Sequence, residues 1–320
     1  MELSKNLSET KLEKLKLNGN NITDSGAIAL AKGLAHSKLN HLDLSYNRIG
    51  REGLCKLSEA IPLSKLNYFE IEANDHQPDD LAELYKVLDN SCLVELKVPE
   101  GGPLSENALI NSINRSKVEE LEVNISPDNL GALFVALQGS AVKKLTLAFE
   151  DAIVERIDIV SQFLGTCTVK ELYFNTNFTY SSDEVSCSKL FVNQSKTGSL
   201  TLLDISDIAL DGKEFNMIAN QLPNTNLEAL EILYPDISDA DLYNLGVNIA
   251  QSALVSFTLC ATAYTNYRLT SEGVIEFIKT VNGTRLRHLE FSSSNLSKQD
   301  HRKIRDILGN SPSLVIYFGS

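Results

Sequence analysis

The stretch that decides the fold is Leu39–Ile49, LNHLDLSYNRI, in which leucines at 39, 42 and 44 are followed by Asn47 and Ile49. One such L-x-x-L-x-L-x-x-N-x-I spacing arises by chance. Repetition at a fixed interval does not. The preceding copy starts at Leu12 (LEKLKLNGNNI) and the next at Leu66 (LNYFEIEAN), 27 residues to either side. Further copies start at Leu93, Val118, Val142, Val169, Leu200, Leu227, Leu254 and Leu286, which makes eleven, and the apolar run Leu314–Phe318 reads as one more strand.

Within each copy the period changes. Leu42 and Leu44 alternate with His41, Asp43 and Ser45, as in a strand with one buried face. Eight to ten residues later the spacing becomes helical, as in Ala27, Leu30, Ala31, Leu34 and in Leu130, Leu133, Phe134, Leu137. Cap-type residues precede several of these runs, among them Thr23, Ser126, Ser238 and Thr270. Each unit is therefore a strand, a loop, a helix and a return loop. Parallel strands stack about 4.8 Å apart whereas helices need about 8–10 Å, so a stack of such units curves into a horseshoe with a concave parallel sheet and outer helices. Asparagines after the strand (Asn20, Asn47, Asn74, Asn177, Asn295) are expected to satisfy backbone donors in the turn.

The first two units, LKLNGNNITDSGAIALAKGL and LDLSYNRIGREGLCKLSEAI, resemble the ribonuclease-inhibitor-like class of leucine-rich repeat, and with weaker motifs the resemblance runs through the whole chain. It implies an α/β leucine-rich-repeat solenoid of about eleven repeats that binds a partner protein on its concave face. Residues 1–320 are then a single domain: 1–11 an N-terminal cap, 12–296 the repeats, and 297–320 a C-terminal capping helix and strand. Members of this class include enzyme inhibitors, innate immune sensors, GTPase-activating proteins for Ran and secreted bacterial effectors. The decayed repeats, rich in Asn, Lys and Ile, suit an effector or inhibitor. A regulator of a small GTPase or a cytosolic scaffold is the alternative, although the residue motif of the Ran activators is not matched here.

A net charge of −13 and a pI near 4.9 disfavour nucleic acid and acidic membranes as partners. No run of 18 apolar residues occurs, and MELSKNLSETKLEKL lacks the apolar core of a signal peptide, so a cytoplasmic location is expected, that of a host cell if the chain is a translocated effector. A monomer is expected. The five cysteines, Cys55, Cys92, Cys167, Cys187 and Cys260, are odd in number and widely spaced, which indicates neither a disulfide framework nor a zinc site. Cys92 and Cys167, just before strands, are expected to be buried. The five histidines fall in different repeats with no catalytic signature, and no phosphate loop is present; PEGGP at 99–103 lacks the lysine and instead distorts the turn of repeat four or lets a partner approach. No enzyme, cofactor or metal is indicated.

The binding surface is expected on the sheet residues that alternate with the buried ones. Tyr68, Glu70, Glu72, Glu95, Glu120 and Glu122 cluster on three adjacent strands with Lys97 among them, where they would attract a basic partner. A merely solvated acidic face is the plain alternative. Tyr173 and Glu231 take the same kind of position in later repeats. The two longest repeats, of 31 and 32 residues, carry aromatic loops with Phe178 and Tyr180 in one and Tyr264 and Tyr267 in the other. Those rings are either interface anchors or covers for the sheet edge. The basic cluster His301, Arg302, Lys303 and Arg305 reads as the solvated side of a capping helix.

Overall fold

A computed structural model describes residues 7, 9–98, 101–149, 153–176, 186–192, 198–208, 210–233, 237–260, 269–291, 296–309 and 315–318. Twelve strands and eleven helices alternate along it. Backbone contacts group the chain into two compact units, Met1–Ala148 and Phe149–Ser320, and the division falls inside a strand, not at a break in the repeat spacing.

The first unit begins with β1 (Lys14–Lys16), α1 (Asp24–Leu34), β2 (His41–Asp43), α2 (Arg51–Ala60), β3 (Tyr68–Glu70) and the short α3 (Ala82–Tyr85). It continues with β4 (Glu95–Val98), α4 (Pro103–Ile113), β5 (Glu120–Asn124), α5 (Pro127–Leu137) and β6 (Lys144–Phe149). Its strands pair in parallel in chain order, with Leu15 opposite Leu42, Leu42 opposite Phe69, Phe69 opposite Leu96, Leu96 opposite Leu121 and Leu121 opposite Leu145.

The second unit holds α6 (Ile153–Phe163), β7 (Glu171–Thr176), α7 (Lys189–Val192), β8 (Leu202–Ile205), α8 (Gly212–Gln221) and β9 (Ala229–Leu233). After these come α9 (Asp239–Ile249), β10 (Ser256–Cys260), α10 (Ser271–Val281), β11 (His288–Phe291), α11 (Lys298–Leu308) and β12 (Val315–Phe318). Strands β7 to β12 also pair in parallel and in order. The in-register apolar residues Leu172, Leu203, Leu230, Phe257 and Leu289 are no more than 1% exposed, and so are Phe215, Ile218, Phe277 and Ile278 on the helices facing them. The core of each unit lies between sheet and helices, and the alternate strand residues form an open face on the other side.

Three polar devices fix the spacing. The residue before each of the first three turn asparagines is left-handed: Gly19, Tyr46 and Ala73 have φ of 69°, 54° and 51°. For Tyr46 and Ala73 this costs about 1–2 kcal/mol each, and the asparagine that follows offsets it. Asn47 accepts from the Ile22 amide through Oδ1 at 3.0 Å and donates through Nδ2 to the carbonyls of Leu17, Leu44 and Ser45 at 2.9, 2.9 and 3.1 Å. Asn74 repeats the pattern on Ile49, Leu44, Ile71 and Glu72. The asparagine thus satisfies one donor, as expected, but mainly serves orphan carbonyls, and it does so in two repeats at once. Asn177 and Asn295 lie outside the described residues.

The second device is a hydroxyl two positions before the first apolar residue of a repeat. Ser37 donates to the Leu34 carbonyl and accepts from the Leu39 amide, which closes the preceding helix and fixes the entry to the strand. Ser64, Ser91, Ser116, Ser140, Thr225, Ser252 and Thr284 do the same in their repeats. Cys167 stands at this position too: its Sγ accepts from Val169 at 3.3 Å, and burial pushes its thiol up to about 11. Cys92 differs from the expectation. It is exposed, because Ser91 beside it takes the buried place.

Third, caps hold the helix starts. Asp211, Ser238, Thr270 and Ser297 accept from the amide three residues on. Thr23 and Ser126, also expected to cap, make no such bond. In the PEGGP segment Gly102 precedes α4, and a Cβ there would lie 2.2 Å from Oδ1 of Asp79, so this glycine makes room for a neighbouring carboxylate. Of the C-terminal basic cluster, Arg302, Lys303 and Arg305 are exposed while Ile304 is buried.

Candidate functional site

Strand alternation places a charged carpet on the open face of the first unit. One row reads Lys14, His41, Tyr68, Glu95, Glu120, Lys144 across β1 to β6. In the next row Lys16 stands opposite Asp43, Asp43 opposite Glu70, Lys97 opposite Glu122 and Glu122 opposite Thr146. Of the five glutamates expected to form an acidic cluster, Glu70, Glu95, Glu120 and Glu122 stand on the neighbouring strands β3 to β5, but they are more nearly neutralised than the sequence implies. Lys97 reaches Glu122 at 3.5 Å, and Lys144, from the following strand, reaches Glu120 at 3.3 Å. The Tyr68 hydroxyl donates to Glu70, and Glu72 engages Tyr46.

Glu95 sits in a shallow depression lined also by Leu96, Lys97, Glu120, Leu121, Glu122, Lys144 and Thr146. Burial, then Glu120 opposite it, hold its carboxyl above the ordinary range against the pull of Lys97 and Lys144. Tyr68 stacks on His41, with ring centroids 4.0 Å apart and planes 3° from parallel. Burial, then Lys16 and Lys14, lower the His41 pKa.

The open face of the second unit has a different balance. Tyr173 stands opposite Asp204, Asp204 opposite Glu231, Glu231 opposite Thr258 and Thr258 opposite Glu290. The parallel row reads Glu171, Leu202, Ala229, Ser256, His288, and neither row contains a lysine or arginine. Burial, then Asp204 and Glu290, raise the Glu231 pKa. Tyr173 donates to Glu171 at 3.1 Å, and burial, then Glu171, Glu231 and Asp204, raise its phenol. The repeat spacing puts Asp204 and Glu290 on the inward face as well, each in the second inward position of its strand, but as single positions they carry no signal that sets them beside Tyr173 and Glu231 as partner-binding residues.

Tyr180, Tyr264 and Tyr267, with Phe178, lie outside the described residues. Among the described residues, no three His, Cys, Asp or Glu side chains converge as metal ligands would, and no helix is long and apolar enough to cross a membrane.

The Leucine Rich repeat family matches residues 8–31 and 35–58. A solved chain of the yeast Rad7–Elc1 complex superposes with a TM-score of 0.54, covering 98% of this chain and 86% of that one at 14% identity. The fold is a leucine-rich-repeat solenoid. An internalin, InlF, from Listeria monocytogenes aligns over 99% of this chain and 89% of its own at 16% identity with a TM-score of 0.45. The leucine-rich repeat-containing protein LegL7 from Legionella pneumophila aligns over 94% and 92% at 13% identity with a TM-score of 0.49. No curated protein matches the sequence. Leucine-rich-repeat solenoids are in general protein–protein interaction modules, built around extended sheet surfaces.

Proposed function

We propose that this chain is a non-enzymatic binding module that takes a basic surface of one partner protein on its open sheet face, with the Asp204–Glu231–Glu290 row as the principal anchor for cationic side chains. The observation that carries this reading is the contrast in charge compensation. Glu120 and Glu122 already have cations at 3.3 and 3.5 Å, whereas the in-register positions around Glu231 offer none. Like charges about 4.8 Å apart on neighbouring strands repel, and an arriving ammonium or guanidinium group relieves that repulsion while gaining its own attraction. Tyr173, at the end of the row with its ring half-buried, adds the rigid aromatic surface typical of an interface anchor. Glu95, which lies between Glu120 and Lys97 in the shallow depression of the first unit, is a secondary contact.

The test uses a fluorescently labelled lysine-rich peptide as the probe, titrated against the full chain at low and high salt. Glu231→Lys should weaken binding about tenfold or more, equivalent to roughly 1.4 kcal/mol. Glu120→Lys should weaken it less, since that carboxylate is already paired. Both effects should shrink at high salt. Equal effects of the two reversals, or no effect of Glu231→Lys, would remove the row from the binding surface.

A further inference from the structure

All helices of a unit run the same way, so their N-terminal ends, each carrying unsatisfied amides and a partial positive charge, line one edge. Between several neighbours a carboxylate from one helix reaches the start of another. Asp24, at the first position of α1, accepts from the amides of Gly50 and Gly53 at the start of α2, at 2.7 and 2.9 Å. Asp79, in the turn before α3, accepts from Leu104 of α4 at 2.9 Å. Glu106 of α4 accepts from the Ser126 amide at 2.9 Å and from the Ser126 hydroxyl and Asn129 amide side chain at 2.6 Å, all at the start of α5. In the second unit, Asp239 of α9 takes the Thr270 amide at 2.9 Å and hydroxyl at 2.6 Å ahead of α10, and Glu214 of α8 takes the Ser188 amide before α7 at 2.8 Å.

Glycines make room for these contacts. A Cβ on Gly102 would meet Asp79 Oδ1 at 2.2 Å, and one on Gly273 would meet Asp239 Oδ1 at 2.1 Å, with no other residue's atoms among its nearest neighbours in either case. A side chain at either position would therefore expel the carboxylate.

We infer that these carboxylates are latches between repeats: each caps a neighbour's helix in preference to its own, so that order in one repeat is passed to the next along the helix side. The α9–α10 junction separates the two roles cleanly. The N-terminus of α9 is already closed by a reciprocal box, Ser238 with Asp241, which leaves Asp239 free to serve α10. Thr270, which Asp239 holds, in turn accepts from Gly273 at 3.0 Å and so transmits the contact into the first turn of α10.

Hydrogen exchange followed by mass spectrometry on the full chain tests this with Asp239→Asn, Gly273→Ala and the double variant. Each single change should accelerate exchange of the first-turn amides of α10 about five- to tenfold, the effect of a lost cap, while α9 keeps its protection. The double variant should add little, because both changes break one contact. Faster exchange in α9 with α10 unaffected would show that Asp239 serves its own helix, and would overturn the inference. Fully additive effects would do the same, since the two residues would then act separately. Glu276→Gln, which removes an exposed α10 pair with Lys279, is the control and should leave both first turns unchanged.

Discussion

Replacing Glu231 by glutamine should stabilise the protein at neutral pH while weakening its hold on a cationic probe. Asp204 lies opposite Glu231 on β8, and Glu290 lies two strands away. With strands spaced about 4.8 Å apart, those separations are about 5 and 10 Å. In a water-like dielectric they correspond to repulsions of roughly 0.9 and 0.4 kcal/mol before screening. Salt at physiological strength reduces the more distant one most, which leaves about 0.5–1 kcal/mol in total. Removal of the charge should therefore raise the melting temperature by about 2 °C or slightly more for a unit of this size. The pH dependence ties the effect to the charge of Glu231. A carboxylate whose pKa is raised in the folded state binds its proton more readily there, so its cost appears as pH rises through the folded pKa and is absent below the unfolded value of about 4.3. Urea unfolding at pH 7 and again below pH 4 measures both limits. The gain from Glu231→Gln should be present at the first and vanish at the second. A loss of stability at pH 7 would refute the reasoning, because it would mean that the carboxylate is held by a favourable partner.

Two further outcomes follow from the same geometry. Asn47→Ala leaves the Ile22 amide and the carbonyls of Leu17, Leu44 and Ser45 without their partner, and it should cost about 2–5 kcal/mol in chemical unfolding. Asp241 and Asp300 have lowered pKa values: at Asp241 burial opposes, but hydrogen bonds from Asn216 and Ser238 outweigh it, and at Asp300 the Ser297 bonds dominate. Their contribution is complete above the unfolded value of about 3.9 and lost as pH falls through the lower folded one, so Ser238→Ala should flatten the acid limb of a stability-against-pH curve.

The repeat spacing made most of the fold legible. Period two around Leu42 and Leu44, followed by period 3.6 around Leu30 and Leu34, reflects burial on one face of each element, and burial is what hydrophobic patterning records. What escaped depended on register across repeats. Lys144 belongs to the cluster because β6 aligns it with Glu120, 24 residues away, and that alignment follows from strand pairing, not from local sequence. The inward positions of Asp204, Glu231 and Glu290 follow from the repeat spacing itself, and the strand pairing adds that no lysine or arginine stands in register with them. The hydroxyl device, in contrast, was written plainly as Ser37-x-Leu39, Ser64-x-Leu66, Ser91-x-Leu93 and Ser116-x-Val118. Ser91 carries these contacts, and the rarer Cys92 beside it does not. The latching carboxylates read locally as ordinary first-turn acids, and only the adjacency of helices reveals which N-terminus each one serves.

The two faces of these sheets also differ in how they tolerate charge. On the covered face the strands carry side chains such as Leu121, Leu203 and Phe257, each at most 1% exposed, and truncation of one of these to alanine costs about 2–5 kcal/mol. On the open face the entire repulsion within the acidic row amounts to less than one such residue. A repeat protein whose stability is close to a sum over nearest neighbours can carry that repulsion locally, because asparagine and carboxylate contacts join several neighbouring repeats independently of the open face. The acids can therefore be placed for recognition instead of stability, and cations are supplied within the sheet at some of them, Glu120 and Glu122, and not at Glu231. An unbalanced row on an otherwise over-determined scaffold is where local design rules give way, and such departures mark functional positions more often than structural ones.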